Sequence, residues 1–485
     1  MKQKSIKVNF IMNMILTMSS FIFPLITFPY VSRILLPVGT GKVSFATSLI
    51  SYFSMFAQLG IPMYGVRACA RVRDNREALT KVVQELLIIN ILMSIISYIG
   101  LFLALTFITK LQSDKPLYII VSFTIILTSI GMEWLYRALE QYTYITIRSV
   151  IFKFIALIAM FLLIHKSSDY VIYGGITIFA SSASSILNFI NAHKYIDLKP
   201  VGNYDFKKHL KPVGIFFAMS CATTIYGNLD NVMLGFMATD IDVGYYNAAV
   251  KIKGILVAIV TSLGSVLLPR TSYYIENGMI QEFKRITKKA LSFVFLLATP
   301  LMVYFIFFAK EGIFFLSGKA YSGSIIAMQV IMPTLLFIGI TNILGIQVLV
   351  PLGKENIVLY SEIVGAVIDI LINAILIPRY ASTGAAIGTL LAEFAVLVVQ
   401  YMALRVEIVD TFKEVHYVRI IIAIIISLLP SLGIKLFKLN EFFTLSLSAT
   451  VFLGIYFFFL LWKKEEMVVE IWNMINSKVF MRIRK

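Results

Sequence analysis

The stretch LLIINILMSIISYIGLFLALTFIT, residues 86–109, decides the fold class. It contains no Asp, Glu, Lys or Arg, and about 20 apolar residues in a helix are enough to cross the hydrocarbon core of a bilayer. Inside a membrane, each backbone N–H and C=O needs an internal partner, which a helix supplies. This segment therefore predicts a transmembrane helix.

The composition extends this interpretation to the whole chain. Of the 485 residues, 59% are hydrophobic and 14% are charged. A soluble protein would need a more charged surface, and a disordered chain would be poorer in Phe, Ile and Leu. Two cysteines cannot build the framework of a disulfide-rich secreted protein.

The net charge is +17, but the basic residues fall between apolar runs, as in the cytoplasmic loops of membrane proteins. We therefore expect no nucleic-acid partner.

Runs of similar length recur along the chain and predict an all-α integral membrane protein with fourteen transmembrane helices. No connecting segment is long enough for a soluble domain. The approximate ranges are 8–32, 43–65, 86–109, 117–137, 147–165, 170–192, 213–238, 243–268, 290–309, 325–350, 356–378, 384–404, 417–435 and 442–462.

The distribution of Lys and Arg predicts the orientation. With the N-terminus inside the cell, 30 basic residues fall in cytoplasmic segments and 10 in outer ones. Cytoplasmic loops of membrane proteins are enriched in basic residues. We therefore expect an even number of spans with both termini in the cytoplasm.

A weak internal repeat predicts two bundles of six helices. GKVSFA (41–46) matches GYYNAA (244–249), and the same spacing takes Arg67 to Arg270. A second match pairs RALEQ (137–141) with PLGKEN (351–356). Both copies begin on the same side of the membrane, which indicates a parallel repeat. The predicted parts are bundles at 1–198 and 199–410, followed by helices 13 and 14 and a basic cytoplasmic tail in 411–485.

Motifs for covalent chemistry are missing from the sequence. It contains no Walker A, H-E-x-x-H, G-x-S-x-G or dinucleotide pattern. Its loops are too short for a nucleotide-hydrolysing domain, and its two cysteines are far apart. These features favour a carrier driven by a gradient, with no catalytic residues, no metal site and no cofactor.

Several segments resemble the Wzx-type polysaccharide repeat-unit flippases of the multidrug/oligosaccharidyl-lipid/polysaccharide exporter superfamily. The most specific is EWLYRALEQYTYITIRSVIFK (133–153). One departure is Leu35-Leu36, where the family commonly has Leu-Gly after Arg33. The other segments are FPYVSRIL (28–35), NLDNVMLGFM (228–237), DVGYYNAAVKI (242–252), VLLPRTS (266–272), GIQVLVPLGKEN (345–356) and NAILIPRYASTGAAIGTLLAE (373–393).

The resemblance implies a substrate and a mechanism. The substrate would be an oligosaccharide repeat unit on a polyprenyl diphosphate, moved from the inner to the outer leaflet of the bacterial plasma membrane by alternating access between two bundles. The product would feed capsule, O-antigen or exopolysaccharide assembly, with a polymerase and chain-length machinery as partners beside the membrane lipids. The rival hypotheses are a multidrug or cation antiporter of the same superfamily, a lipid II flippase and a membrane polysaccharide polymerase.

Ionisable residues inside spans are functional candidates, because an uncompensated charge in the bilayer is costly. A Lys or Arg would attract the diphosphate, and Tyr or Asn near a helix end would bind sugar. The alternatives are snorkelling of Lys153 to the surface and pairing of Lys251 or Lys253 with Asp230. The candidates for substrate contacts are Arg33, Arg148, Lys153, Lys251, Lys253, Tyr246 and Asn247.

Gate candidates lie at the predicted cytoplasmic ends of helices. Glu133, Arg137 and Glu140 have helical spacing, so a salt-bridge ladder within one helix is the alternative. Arg67 and Arg270 are the remaining two gate candidates, and simple anchoring of a helix end is their alternative.

Four residues at similar predicted depth form a candidate site for ion coupling: Asp230, Asp369, Asn373 and Glu393. Carboxylate and amide oxygens suit a hard cation, or carboxylates share a proton with a raised pKa. In the similar lipid II flippase a cation is bound among the corresponding helices. The resemblance thus implies coupling to H⁺ or Na⁺, and hydrogen bonding within the second bundle is the alternative.

Overall fold

The computed structural model describes residues 6–262, 264–413, 415–470 and 472–473. Throughout these ranges the regular structure is helical and contains no strand. This confirms the predicted all-α class. Most of the predicted basic tail, from residue 474 onward, lies outside the described residues.

The chain divides into two units, Met1–Gly244 and Tyr245–Lys485. The predicted bundle boundaries near residues 198 and 410 stay predictions. The helices that begin in the first unit are α1 (Ile6–Gln58), α2 (Ile61–Ala70), α3 (Arg76–Phe107), α4 (Thr109–Gln112), α5 (Lys115–Gly131), α6 (Glu133–Ala138), α7 (Tyr142–Leu163), α8 (Tyr170–Ile178), α9 (Ser185–Asn191), α10 (Lys207–Met237) and α11 (Asp240–Thr261), which continues into the second unit.

The second unit contains the remaining helices. A π-helical turn, Asn342–Leu349, follows α16, and another, Phe179–Ala183, joins α8 to α9 in the first unit. The helices are α12 (Gly264–Glu276), α13 (Ile280–Phe307), α14 (Ala309–Ser317), α15 (Ser324–Ile331), α16 (Thr334–Thr341), α17 (Glu355–Lys413), α18 (Tyr417–Gly433) and α19 (Glu441–Trp462).

Each of the two longest helices contains a sharp break. In α1 the break is at Leu36, with φ 59°, directly before Pro37, and proline disfavours helical geometry in the residue before it. In α17 it is at Ala381, with φ 45°. A side chain on Gly384 would collide with the carbonyl group of Leu376, so the chain folds back on itself there. Both breaks fall between two predicted spans.

The number of long apolar helices is compatible with fourteen spans. Eleven stretches of the described chain are long and apolar enough to cross a membrane. Two of them, Ile11–Ala70 and Glu355–Arg405, contain the breaks just described, so each covers two predicted spans. Helix α10, at 31 residues, covers the predicted seventh span. Large apolar side chains on the outer faces, such as Phe107 and Leu162, are well exposed, as expected beside lipid tails.

A glycine sets the packing at the end of α1. Gly60 has φ 71°, and the backbone of α10 at Phe216 and Phe217 lies so close that a Cβ would overlap it. Only glycine tolerates both the positive φ and the close approach of the α10 backbone at low cost, because it has no Cβ. The beginning of α2 is thereby held against α10, beside the cavity described next.

Candidate functional site

The first unit encloses a cavity of about 470 Å³. Its polar lining residues carry hydroxyl or amide groups, and among the described residues no Asp, Glu, Lys, Arg or His lines it. Gly60 and five apolar residues, including Ile50, Val121 and Ile178, complete the wall. The polar residues are Thr47, Ser51, Ser54 and Gln58 from α1, Thr124 from α5, Thr177 from α8, Ser181 from the π-helical turn, and Ser220, Thr224 and Asn228 from α10.

A periodic signal in the sequence marks this cavity, and our sequence analysis did not use it. Polar residues recur every three or four positions in apolar surroundings, as at 47, 51, 54 and 58. Residues with this spacing lie on one face of a helix. The pairs 177 and 181, and 220 and 224, continue the pattern on other helices. The sequence does not show that these faces meet, and none of the predicted site residues lies among the cavity-lining residues.

Glu133 joins two of the predicted basic residues. Its carboxylate lies 2.8 Å from Arg137 and 3.0 Å from Arg148. Arg148 is buried, and its guanidinium also donates to the Ser184 hydroxyl. The positive charge of Arg148 is therefore compensated inside the protein.

Lys153 has a different environment. Its ammonium group donates to the hydroxyls of Ser19 and Ser20, at 2.8 and 2.9 Å. These partners are neutral, and the side chain is only partly buried. Among the described residues Lys153 forms no direct salt bridge, although Glu133 lies near enough to favour its positive charge, whereas Arg148 is paired directly with Glu133.

The predicted ladder from Glu133 through Arg137 to Glu140 forms only in part. Helix α6 ends at Ala138, and Glu140 has φ 56°, so it is not on the helix. Its carboxylate instead lies 2.8 Å from Arg73. This pair joins residues 67 positions apart, which local spacing does not indicate.

The other predicted arginines lie at the surface of their helices. Arg33 is exposed and donates to the Pro29 carbonyl. Arg67 lies over the ring of Phe216, 5.3 Å from its centroid. Arg270, on α12, is exposed. The structure does not bring these three arginines together with the cavity.

A buried ionic network at the beginning of α10 was missed by our sequence analysis. His209 Nε2 lies 2.8 Å from Glu85 Oε2, and His209 Nδ1 lies 2.8 Å from the Tyr64 hydroxyl. Lys208 Nζ lies 2.7 Å from the same Glu85 oxygen, and the Asp205 backbone N–H donates to the other. The network ties α10 to α2 and α3. No motif indicates it, because the residues are 124 and 145 positions apart.

A second network surrounds Asp114, in the connection before α5. Its carboxylate accepts from Lys42 at 2.9 Å and from the Tyr170 hydroxyl at 2.6 Å. Burial opposes ionisation of the carboxyl group, but the hydrogen bonds from Tyr170 and Lys42 outweigh it. They hold the pKa of Asp114 below its ordinary value. Asp114 is thus a charged anchor between α1, α5 and α8.

In the second unit the structure brings together two of the predicted ion-coupling residues. Asn373 Nδ2 donates to Asp369 Oδ1 at 3.1 Å, and both side chains are buried. Gly388 lies directly beside Asn373 Oδ1 and Asp369 Oδ1, since a Cβ on this glycine would overlap the first oxygen and lie 2.9 Å from the second. Glu393 is buried on the same helix, α17. Asp230 is buried on α10 of the first unit.

The predicted sugar contacts Tyr246 and Asn247 are buried on α11. The Tyr246 hydroxyl lies 2.8 Å from the Thr389 hydroxyl, next to Gly388. Lys251 and Lys253, on the same helix, are partly buried. No cluster of three or more His, Cys, Asp or Glu suited to a metal ion occurs among the residues that the structure describes.

Comparisons with known proteins agree with this architecture. The chain is 24% identical, over 391 residues, to the "Putative O-antigen transporter" of Escherichia coli (strain K12). The aligned region covers 80% of this chain and 94% of that protein. The fold is similar to that of the lipid II flippase MurJ in an inward closed conformation, with TM-score 0.71, 17% identity and coverage of 93% of this chain and 98% of that one. It is also similar to an inward-facing multidrug resistance MATE family transporter of the MOP superfamily, with TM-score 0.63, 14% identity and coverage of 81% and 95%.

Two family patterns match the sequence itself. The MatE pattern matches residues 216–375. The pattern of the family described as "Polysaccharide biosynthesis protein" matches residues 6–275, more than half of the chain. The chain belongs to this polysaccharide biosynthesis protein family.

Proposed function

We propose that this protein is a flippase that moves polyprenyl-diphosphate-linked oligosaccharide repeat units from the inner to the outer leaflet. The observation that carries the proposal is the hydroxyl-lined cavity within a membrane-embedded helical unit. Polar head groups cannot cross hydrocarbon unaided, because each unsatisfied polar group costs several kcal/mol there. A polar cavity lowers this barrier while the lipid chain stays in the bilayer. The names of the relatives support the same activity.

Lys153 is the best candidate for contact with the diphosphate. Phosphate binding needs a positive charge that is not already neutralised. Arg148 is neutralised by Glu133 and is buried. The ammonium group of Lys153 is hydrogen-bonded to two hydroxyl groups, and a phosphate oxygen would replace or join them.

Transport would use alternating access driven by an ion gradient. The Asp369–Asn373 pair offers carboxylate and amide oxygens, which suit Na⁺. A proton bound at Asp369 would serve the same purpose. No step in this mechanism needs a cofactor or covalent chemistry.

The cellular setting follows from the proposed activity. We place the protein in the bacterial plasma membrane with both termini in the cytoplasm, supported by the excess of Lys and Arg in alternate loops. A polymerase and chain-length machinery would use the product outside, for capsule, O-antigen or exopolysaccharide.

The MatE match favours a second candidate, export of drugs or organic cations. A cationic drug would be bound best by a carboxylate on the cavity wall. The cavity of the first unit presents no carboxylate, which favours the flippase.

Gene deletion tests the proposed function. Cells without the protein are expected to lose their surface polymer and to accumulate lipid-linked repeat units that are protected from a glycosidase added outside spheroplasts. Re-expression should restore both. Single unpolymerised units displayed on the surface of the mutant would instead indicate a polymerase. An unchanged polymer with increased drug sensitivity would indicate an exporter.

A further inference from the structure

We propose that the cavity of the first unit binds the uncharged sugar rings of the substrate, and that the diphosphate and acidic sugars are excluded from it. This inference rests on the proposed function and assigns one part of the substrate to one site.

The lack of charged side chains on the wall disfavours the binding of phosphate. In the part of the chain that the structure describes, no ionisable side chain lines the cavity, and a buried anion without a counter-charge is strongly disfavoured. The same argument excludes carboxylate-bearing sugars such as uronic acids. The basic residues of the unit lie elsewhere, with Arg148 and Lys153 on α7, which contributes nothing to the wall.

Three hydroxyl groups of the wall already donate their hydrogens to carbonyl oxygens of their own helices. Thr47 donates to the Val43 carbonyl at 2.6 Å, Ser51 to the Ser48 carbonyl at 2.6 Å, and Thr177 to the Tyr173 carbonyl at 2.9 Å. A hydroxyl has one hydrogen and two lone pairs. The wall therefore offers acceptors to a ligand that brings its own donors.

The amide groups add to this preference. Gln58 Nε2 donates to Ser54 and Thr128, and Asn228 Nδ2 donates to the Thr224 carbonyl. These bonds use both N–H groups of Gln58 and one of Asn228, and they leave the carbonyl oxygens as further acceptors. Sugar hydroxyls and the N–H of an acetamido group are matching donors.

The remaining features suit a sugar as well. Ile50, Val121 and Ile178 provide apolar surface for the C–H face of a pyranose ring. The volume of about 470 Å³ is within the range of small-molecule sites. Ser181 belongs to a π-helical turn, and such turns occur frequently at functional sites. The Thr124 hydroxyl is buried and has no partner among the described residues, so a ligand would satisfy it.

Cysteine protection tests the inference in the full-length protein, with Cys69 and Cys221 replaced by Ala. Ser181→Cys places a thiol on the cavity wall, and the rate of its reaction with a neutral maleimide is measured. The probe is the oligosaccharide that mild acid releases from the lipid-linked intermediates of the source cells, free of lipid and phosphate. We expect it to slow labelling at least threefold. Inorganic pyrophosphate at the same concentration should have no effect.

A pair of neighbouring threonines provides the matched control. Thr224→Val changes the wall and is expected to abolish protection, whereas Thr223, which is exposed and outside the cavity, can become Val with protection retained. A Ser51→Cys thiol gives a second position if Ser181→Cys fails to fold. Protection by pyrophosphate, or equal protection in both threonine variants, would overturn the inference.

The two proposals fail in different ways. Transport of lipid-linked oligosaccharide that continues at full rate without any protection of the cavity thiols overturns the inference and keeps the proposed function. Protection by the oligosaccharide in a protein that transports no lipid-linked oligosaccharide supports the cavity assignment and overturns the proposed function.

Discussion

His209 Nε2 lies 2.8 Å from Glu85 Oε2, and both side chains are buried. A single carboxylate thus receives the imidazole of α10 and, at 2.7 Å, the ammonium group of Lys208. If the Tyr64 hydroxyl donates to Nδ1, then Nε2–H donates to Glu85 and all three groups are satisfied. The network fixes the beginning of the helix that contributes Ser220, Thr224 and Asn228 to the cavity.

Replacement of Glu85 by Gln should strongly destabilise the first unit. Removal of one member of a buried ionic network costs about 3–5 kcal/mol. Thermal unfolding in detergent would measure the effect. Lys208→Gln is the control, and its cost should be below about 1 kcal/mol because the lysine is partly exposed. Equal effects of the two changes would contradict the assignment of Glu85 as the centre.

Lys153 and Arg148 should differ in what they support. Lys153→Met is expected to keep normal expression and to lower transport of the lipid-linked substrate at least tenfold, because it removes a positive charge that is hydrogen-bonded to hydroxyl groups and available to a phosphate. Arg148→Met should lower the amount of folded protein, because Glu133 and Ser184 lose their buried partner. Quantitative immunoblots and transport in vesicles separate the two outcomes. A normal transport rate in Lys153→Met would exclude it as a phosphate contact.

Gly60→Ala should be poorly tolerated. The left-handed φ of 71° and the adjacent backbone of α10 both oppose a Cβ at this position. Gly227→Ala provides the comparison, because nothing lies within 4 Å of a Cβ there and alanine favours the helix by about 1 kcal/mol. We expect a lower melting temperature for Gly60→Ala and an unchanged or higher one for Gly227→Ala. The reverse order would show that the chain can move away from α10 without cost.

The contribution of Asp114 should depend on pH with a defined sign. Its pKa is held below the ordinary value in the folded protein, so its stabilisation is present above the ordinary pKa of about 4. It is lost as the pH falls through the folded pKa. Asp114→Asn should therefore lower the melting temperature by a constant amount between about pH 6 and pH 8, with a smaller difference below about pH 4. A difference that grows in acid would contradict this sign.

Asp369→Asn tests ion coupling. We expect transport to lose its dependence on a Na⁺ or pH gradient, because the carboxylate is the charged member of the pair with Asn373. Glu362→Gln, seven residues earlier on α17, is the comparison and should keep that dependence. Vesicle transport at several Na⁺ concentrations and pH values provides the measurement. A gradient response that is unchanged in Asp369→Asn would remove this site from the coupling mechanism.

Local features of the sequence were enough to predict most helices. The run at 86–109 lies in α3 up to the end of that helix at Phe107, and the run at 442–462 lies within α19, because apolar length is the main signal of a membrane-spanning helix. The breaks at Leu36 and Ala381 fall between predicted spans for the same reason. Helix ends were less certain. Glu140 has helical spacing from Glu133, yet the helix ends before it and Arg73, on another segment, becomes its partner.

The sites depended on contacts that spacing does not encode. Glu85 and His209 are 124 residues apart, and each looked ordinary within its own segment. The cavity was easier to anticipate, since its hydroxyl groups follow a helical period on α1 and α10. Its charge made Arg148 a predicted substrate contact, but the structure shows that Glu133 neutralises this charge. Neutral polar faces were thus more informative than isolated charges.

Three hydroxyl groups of the cavity, those of Thr47, Ser51 and Thr177, donate to carbonyl oxygens of their own helices. These three groups therefore keep their hydrogen bonds whether or not a sugar is bound, so release of the sugar leaves none of these three donors unpaired. Slow dissociation of the sugar would limit the turnover of the carrier, since the residence time of a ligand grows with its affinity. A binding site whose hydroxyl groups are bonded to their own helices allows fast dissociation of the sugar, which matters more to a carrier than high affinity does.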